Sequence, residues 1–196
     1  MMRLLPILIL TFSFQTFAKA DDLRDFQIEG MSVGDSLLDY MNKNQINNSK
    51  RNYFTDKRNY YVVYKDSSLN TYEIVDIYLK TGDKNYEIKS IVGKLIVKNK
   101  KACLLKKKEI TNQLDQFFPN SEKQTYDDVP HTYDKTGKSR EYQTGYLLGK
   151  DFMDDHVSIV CSFFSKKIKR ENKWEDSLNV AATSAEIQSW IADGYN

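Results

Sequence analysis

Cysteine and histidine are scarce in this chain, with two of each in 196 residues. The shortage leaves no C-x-x-C pair and no H-E-x-x-H, so the common zinc modules and zinc-peptidase helices have no ligand set. An EF-hand ladder of acidic ligands and a G-x-S-x-G elbow are also missing, which removes the usual calcium loop and the usual hydrolase nucleophile. Beyond residue 20 no apolar run approaches the length of a transmembrane helix, so stable membrane insertion is not expected. Nor is there a strong excess of one charge: 29 Lys and Arg stand against 27 Asp and Glu. Without a general basic field nucleic acid is not an expected partner, although a local patch is compatible with this balance.

What the chain does have begins at its N-terminus, MMRLLPILILTFSFQTFAKA. Arg3 supplies a positive n-region, Leu4 to Phe14 a short apolar core, and Ala18-Lys19-Ala20 a small-residue cleavage site, the pattern of a secretory signal peptide. An uncleaved anchor is the alternative, but Ser13, Gln15, Thr16 and Lys19 cut the apolar run below a comfortable span. Residues 1–20 are therefore expected to be removed, leaving one domain over 21–196. Cleavage takes away Arg3 and Lys19 and no acidic residue, so the mature chain has balanced formal charge. The expected location is the periplasm or the exterior. The first cysteine is Cys103, far from the cleavage point, which excludes lipid attachment of the bacterial lipoprotein kind.

Two cysteines in an exported chain read most simply as one disulfide, Cys103 to Cys161. Cys103 opens a segment in which Cys103, Ile110, Leu114 and Phe117 share one helical face, with Lys106 to Lys108 directed largely away. Cys161 lies in VSIVCSFF, where Val157, Ile159, Cys161 and Phe163 alternate onto one face of a strand. Both sulfurs thus face a core. The competing reading, a redox or catalytic thiol pair, lacks C-x-x-C spacing and a histidine nearby in sequence.

Along the chain, Ser32 and Asp35 form a capping pattern ahead of Val33, Leu37, Tyr40 and Met41 at helical spacing, which predicts a short helix ending in the Asn-rich stretch 42–48. Strands are predicted at 60–66, 71–80 and 86–97, joined by short connections that favour an antiparallel meander, with Gly93 marking a bulge. The Cys103 helix follows and stops before Pro119. Residues 119–138 read as a long polar excursion or irregular hairpin. Strands resume at 139–148, 156–164 and 177–183, with a polar run at 165–173, and a capped helix at 184–191 closes the pattern. The order helix, three strands, helix, three strands, helix predicts an α+β domain of antiparallel sheet with helices on one face.

Three features invite a chemical reading. The stretch Asp134-Lys135-Thr136-Gly137-Lys138-Ser139 matches only the end of a P-loop, with Thr132 where the first Gly belongs and strand character following. It matches the D-K-T-G opening of a phosphorylated ATPase loop before Lys138 breaks the pattern. An Asx turn opened by Asp134, with Gly137 at positive φ, explains the same letters. The acidic pairs beside the histidines, in YDDVPH around His131 and MDDH around His156, would bind a divalent cation if the two loops met; as separate loops they are ordinary solvated turns. Tyr60, Tyr61, Tyr64, Tyr72, Tyr78 and Tyr86 crowd the first meander, either as strand residues or, if exposed, as a stacking surface for a glycan or a protein. The lysines at 98–101 and 106–108 read as a solvated helix flank.

The chain resembles an uncharacterised family of small exported proteins of marine alphaproteobacteria, through Ile28 to Tyr40 (I-x-G-M-x-x-G-D-S-L-L-D-Y), Y-V-V-Y-K-D at 61–66, Cys103, D-K-T-G-K-S at 134–139 and Cys161. That resemblance implies export and cysteine pairing. Gly30, Met31 and Gly34 ahead of a helix are also similar to the lead of small outer-membrane assembly lipoproteins and of β-lactamase-inhibitor-like modules, which implies a helical lead packed on an antiparallel meander. The expectation is a non-catalytic exported protein that binds a protein or cell-envelope component, with no catalytic, metal or cofactor residues assigned. The alternative is a periplasmic hydrolase or divalent-metal enzyme using the His131 and His156 loops.

Overall fold

The computed structural model describes residues 22–51, 59–151 and 153–192. The expected signal at 1–20 lies outside the described residues. The expected α+β architecture holds: an antiparallel sheet with four α-helices and one disulfide.

Eight strands form one antiparallel sheet. The short β1 (Gln27–Ile28) and β2 (Met31–Ser32) pair with each other, and α1 (Lys43–Ser49) leads into β3 (Lys50–Arg51). Strands β4 (Tyr60–Lys65), β5 (Ile74–Lys80) and β6 (Ile88–Ile96) make the first meander. After α2 (Lys100–Phe117), strands β7 (Glu122–Pro130), β8 (Arg140–Leu147) and β9 (His156–Phe163) make the second. Helix α3 (Lys166–Asn172), strand β10 (Ser177–Thr183) and helix α4 (Ala185–Ala192) complete the chain. The spatial order is β3-β4-β5-β6-β10-β9-β8-β7. The last strand therefore pairs with β6 on one side and β9 on the other, and joins the two meanders.

One face of the sheet is the core. Val63, Val75, Ile77, Ile91, Val180, Ala182, Val157 and Ile159 are buried there in register across adjacent strands. Leu23, Ile28, Met31 and Leu37 from the N-terminal segment, Ile46 of α1 and Cys103 and Leu114 of α2 join the same cluster. Burying one such side chain stabilises the fold by about 1.5–3 kcal/mol. Cys103 and Cys161 meet as a disulfide, Cα to Cα 6.1 Å, in the predicted helix-on-sheet setting. The helix departs from expectation at Lys107: it is buried, and its Nζ donates to Thr144 Oγ1 at 2.6 Å.

Five further departures have local causes. No helix starts at Ser32. The Asp35 carboxylate does accept from the Ser32 N–H, but the Gly34 and Leu37 amides bond across to Ile88 and Tyr86, leaving a 3-10 turn at Leu37–Asp39. The helix instead begins in the Asn-rich stretch, where Asn42 and Gln45 form a capping box. The 119–138 excursion contains β7, whose polar sequence suits an edge strand, with a bulge between Tyr126 and Val129 and Asp128 at φ 57°. The polar run 165–173 holds α3, capped by the Ser165 side chain and ended by Lys173 at φ 57°. Gly93 is not a bulge: it pairs regularly with Val75 and Val180, and the Tyr72 ring lies where a Cβ would be, 2.7 Å away. The bulge falls opposite Tyr78 and Leu79 instead. Finally, the helices do not share one face, because α4 packs Ile187 and Trp190 against Tyr60 and Tyr78 on the second face.

Candidate binding face

Strand pairing places Tyr64, Asp76, Val92, Ala181, Ser158, Gly145 and Gln124 in one row across the second face. A parallel row runs Ile74, Lys94, Asn179, Val160, Gln143 and Tyr126. Alternation forces these residues away from the core, and all but Tyr126, which is more open, stay partly exposed. In the middle of the first row the side chains are small, Val, Ala, Ser and Gly, between bulkier ends. Helix α4 covers the Tyr60 and Tyr78 corner, fastened by Glu186, whose carboxylate takes Lys80 at 2.6 Å and Lys89 at 2.7 Å.

Two polar atoms on this face lack hydrogen-bond partners. Asp76 Oδ1 and Asn179 Oδ1 are inaccessible to solvent and accept no hydrogen bond among the described residues. Burial pushes the Asp76 carboxyl above the ordinary carboxylate range, against the opposing charges of Lys94 and Arg51. The Arg51 guanidinium in turn lies over the Tyr64 ring, 5.3 Å from its centre. An unmet buried acceptor costs about 1–3 kcal/mol, so a side-chain rotation that brought either oxygen to a donor would be favoured.

At the far end of the same face Glu141 collects Ser162 Oγ at 3.0 Å, Gln143 Nε2 at 2.9 Å and His131 Nε2 at 3.5 Å. His131 packs at a tilt between Phe164 and Trp174, and Tyr133 leans on Trp174 with centroids 5.1 Å apart. The neighbouring D-K-T-G-K-S loop is the expected Asx turn. Asp134 Oδ1 accepts from Thr136 N and Oγ1, Oδ2 accepts from Ser139 N and Oγ, and Gly137 sits at φ 68°. Those hydrogen bonds hold the Asp134 carboxyl far below the usual range, and they leave no cradle of free amides for a phosphate.

The two histidines do not converge. His131 follows the end of β7 and its amide bonds Ser139 O, beside the Arg140–Phe163 pair, whereas His156 begins β9 and pairs with Leu147 and Thr183. Seven residues of strand separate the two ends, about 23 Å. His156 is buried against the Asp154 carbonyl, and that burial lowers its pKa. Among the described residues no group of three or more His, Cys, Asp and Glu could hold a metal ion. The shared cation site imagined for these loops therefore has no geometry. Cys103 and Cys161 are bonded to each other deep in the core, which assigns them to stability and not to catalysis. The tyrosines of the first meander form no open row: Tyr60 and Tyr61 are buried, and Tyr64, Tyr72, Tyr78 and Tyr86 are half-buried.

Asp76, Asn179 and Glu141 carried no signal in the sequence, since each is one polar letter in an alternating strand. No helix among the described residues is long and apolar enough to cross a membrane. No family model, curated protein or solved structure matches this chain.

Proposed function

We propose that this chain is an exported, non-catalytic protein of the periplasm or exterior that binds a protein or another cell-envelope component through the second face of its sheet. The observation that carries this reading is a row of small, partly exposed side chains, Val92, Ala181, Ser158 and Gly145, beside the sheltered acceptors Asp76 Oδ1 and Asn179 Oδ1. The partner lays apolar surface over Val92, Ala181 and Val160, and its donors meet those two oxygens once their side chains turn outward on binding. The leader sequence and the buried disulfide are what favour an oxidising compartment. The hydrolase alternative finds no supporting observation, because its two histidines stand at opposite ends of β9.

The test is paired capture from the cell envelope with the mature chain and with Ala181→Arg, which raises a long charged side chain from a partly exposed position in the middle of the row. A component retained by the first and lost by the second, with both proteins melting alike, is the expected result. Identical captured sets would sink the reading.

A further inference from the structure

The path of the chain sorts its charges toward the two ends of the sheet. Strands β6, β7 and β9 finish, and β8 and β10 begin, at one end. The segments 97–101, 131–139 and 164–176 gather there with ten Lys and Arg against four Asp and Glu, and the β4–β5 connection at 66–73 adds only Asp66 and Glu73, so the end stays net positive. They are tied together: Val97 N bonds Asp176 O at 2.9 Å, and Ser165 N bonds Ser139 Oγ at 2.9 Å. One of the four acids, Asp134, is buried and fully engaged within its loop. The opposite end has the other sign. Asp22, Arg24, Gly34, Glu87 and Asp155 line a cavity of about 310 Å³ there, and the 83–87 and 151–155 turns add further carboxylates.

Apolar surface accompanies the positive charge. Tyr133 is 64 % exposed against Trp174, on a loop made rigid by the Asp134 network. The first two turns of α2 present an open trough of about 560 Å³ lined by Lys100, Lys101, Leu104, Leu105 and Lys108, with Leu105 61 % exposed. Lys100 and Lys101 stand in the first turn of this helix, which contains no acidic residue, although the positive end of the helix dipole disfavours cations there. Lys100 already donates to Tyr142 Oη, whereas an anionic surface above that turn would offset the dipole at Lys101.

We propose that this basic, aromatic-tipped end docks on an anionic phospholipid bilayer, with Lys and Arg at the headgroup phosphates, Tyr133 and Trp174 at the interface, and Leu105 among the upper acyl carbons. Charge complementarity and this mixture of groups favour the bilayer over a nucleic acid. An exposed aliphatic side chain gains from acyl chains and can neither stack on a base nor pair with a phosphate. The acidic end is repelled by the same surface, which orients the domain end-on. The inference is independent of the sheet-face reading, since the second face then stands upright and open.

Co-sedimentation of the intact disulfide-bonded protein tests it, using phosphatidylcholine vesicles with and without about one-third phosphatidylglycerol. Binding is expected only with the anionic lipid, and to weaken by about tenfold or more between roughly 50 and 500 mM salt. The triple variant Lys166→Glu, Lys167→Glu, Arg170→Glu should lose about tenfold or more, and Leu105→Asp should lose the salt-resistant remainder. Ala181→Arg should bind vesicles like the unaltered chain, which separates this outcome from failure of the sheet-face reading. Equal binding to neutral vesicles, absence of salt dependence in the unaltered protein, or displacement from vesicles by a short single-stranded oligonucleotide would each overturn the proposal.

Discussion

Single carboxylates in this protein show how one residue type serves opposite ends. Asp134 accepts four hydrogen bonds from its own loop and is held well below the ordinary carboxylate range. Its stabilisation is present above the unfolded-state value and lost as pH falls through the lower folded value. Asp134→Ala should lower the melting temperature by several degrees and admit protease within 131–139; unchanged melting and cleavage would contradict the network. Asp76 runs the other way. Burial raises its folded value, so the folded protein holds that proton more tightly than the unfolded chain. Stability is therefore greatest below the unfolded-state value and declines as pH rises through the raised folded one. Asp76→Asn should add about 1 kcal/mol at neutral pH and flatten that decline. Denaturant melts from pH 4 to 8 check both outcomes, and a destabilised variant would show that Asp76 is already satisfied. The first of these carboxylates was legible, because D-x-x-G in a polar stretch has a local turn chemistry. The second was not, because its burial depends on neighbours from three other strands.

At the scale of elements, periodicity was informative wherever a strong apolar face met the core. Strands β4, β5, β6, β8, β9 and β10 and helix α2 fall close to their expected places because their apolar residues recur with the period of the element. Of the polar elements, β7 was foreseen only as one arm of an irregular hairpin and α3 was missed, for the converse reason: an edge strand and a short surface helix bury few side chains. The Ser32 pattern misled because a cap signals only what the chain could do locally. Two long-range amide bonds, to Tyr86 of the β5–β6 connection and to Ile88 at the start of β6, outweigh it. Gly93 illustrates a pairing across the sheet. Gly93→Ala should cost about 1–3 kcal/mol through the clash with Tyr72, and adding Tyr72→Ala should recover part of that cost, a coupling readable in a double-mutant cycle. Additive losses would mean that the ring does not rest on Gly93. The disulfide joins α2 to β9 across 58 residues of sequence. Cys103→Ser with Cys161→Ser should remove about 4 kcal/mol on the chain-entropy scale, seen as a lower guanidinium midpoint. An unchanged midpoint would show that packing alone holds the helix on the sheet.

For the molecule as a whole, the core lies on one face of the sheet, the proposed binding row on the other, and charge is divided between its two ends. A C-terminal strand inserted between the meanders makes this division possible. It completes the buried face while leaving small side chains in the middle of the other. It also makes folding depend on the end of the chain. A protein truncated before Ser177 should lose cooperative melting entirely and not merely soften, because β6 and β9 would both become unpaired edges; a sharp thermal transition in that truncation would refute the point. The residue order alone determined the α+β class, the antiparallel meanders, the pairing of Cys103 with Cys161 and the turn at Asp134, since each follows from local period, local turn chemistry or the presence of just two cysteines. Tertiary structure decided the place of β10, the row of small side chains across the second face, the orphaned oxygens of Asp76 and Asn179, the separation of the two histidines and the gathering of lysines at one end. Those properties are relations between strands far apart in sequence, and no short stretch of chain contains them.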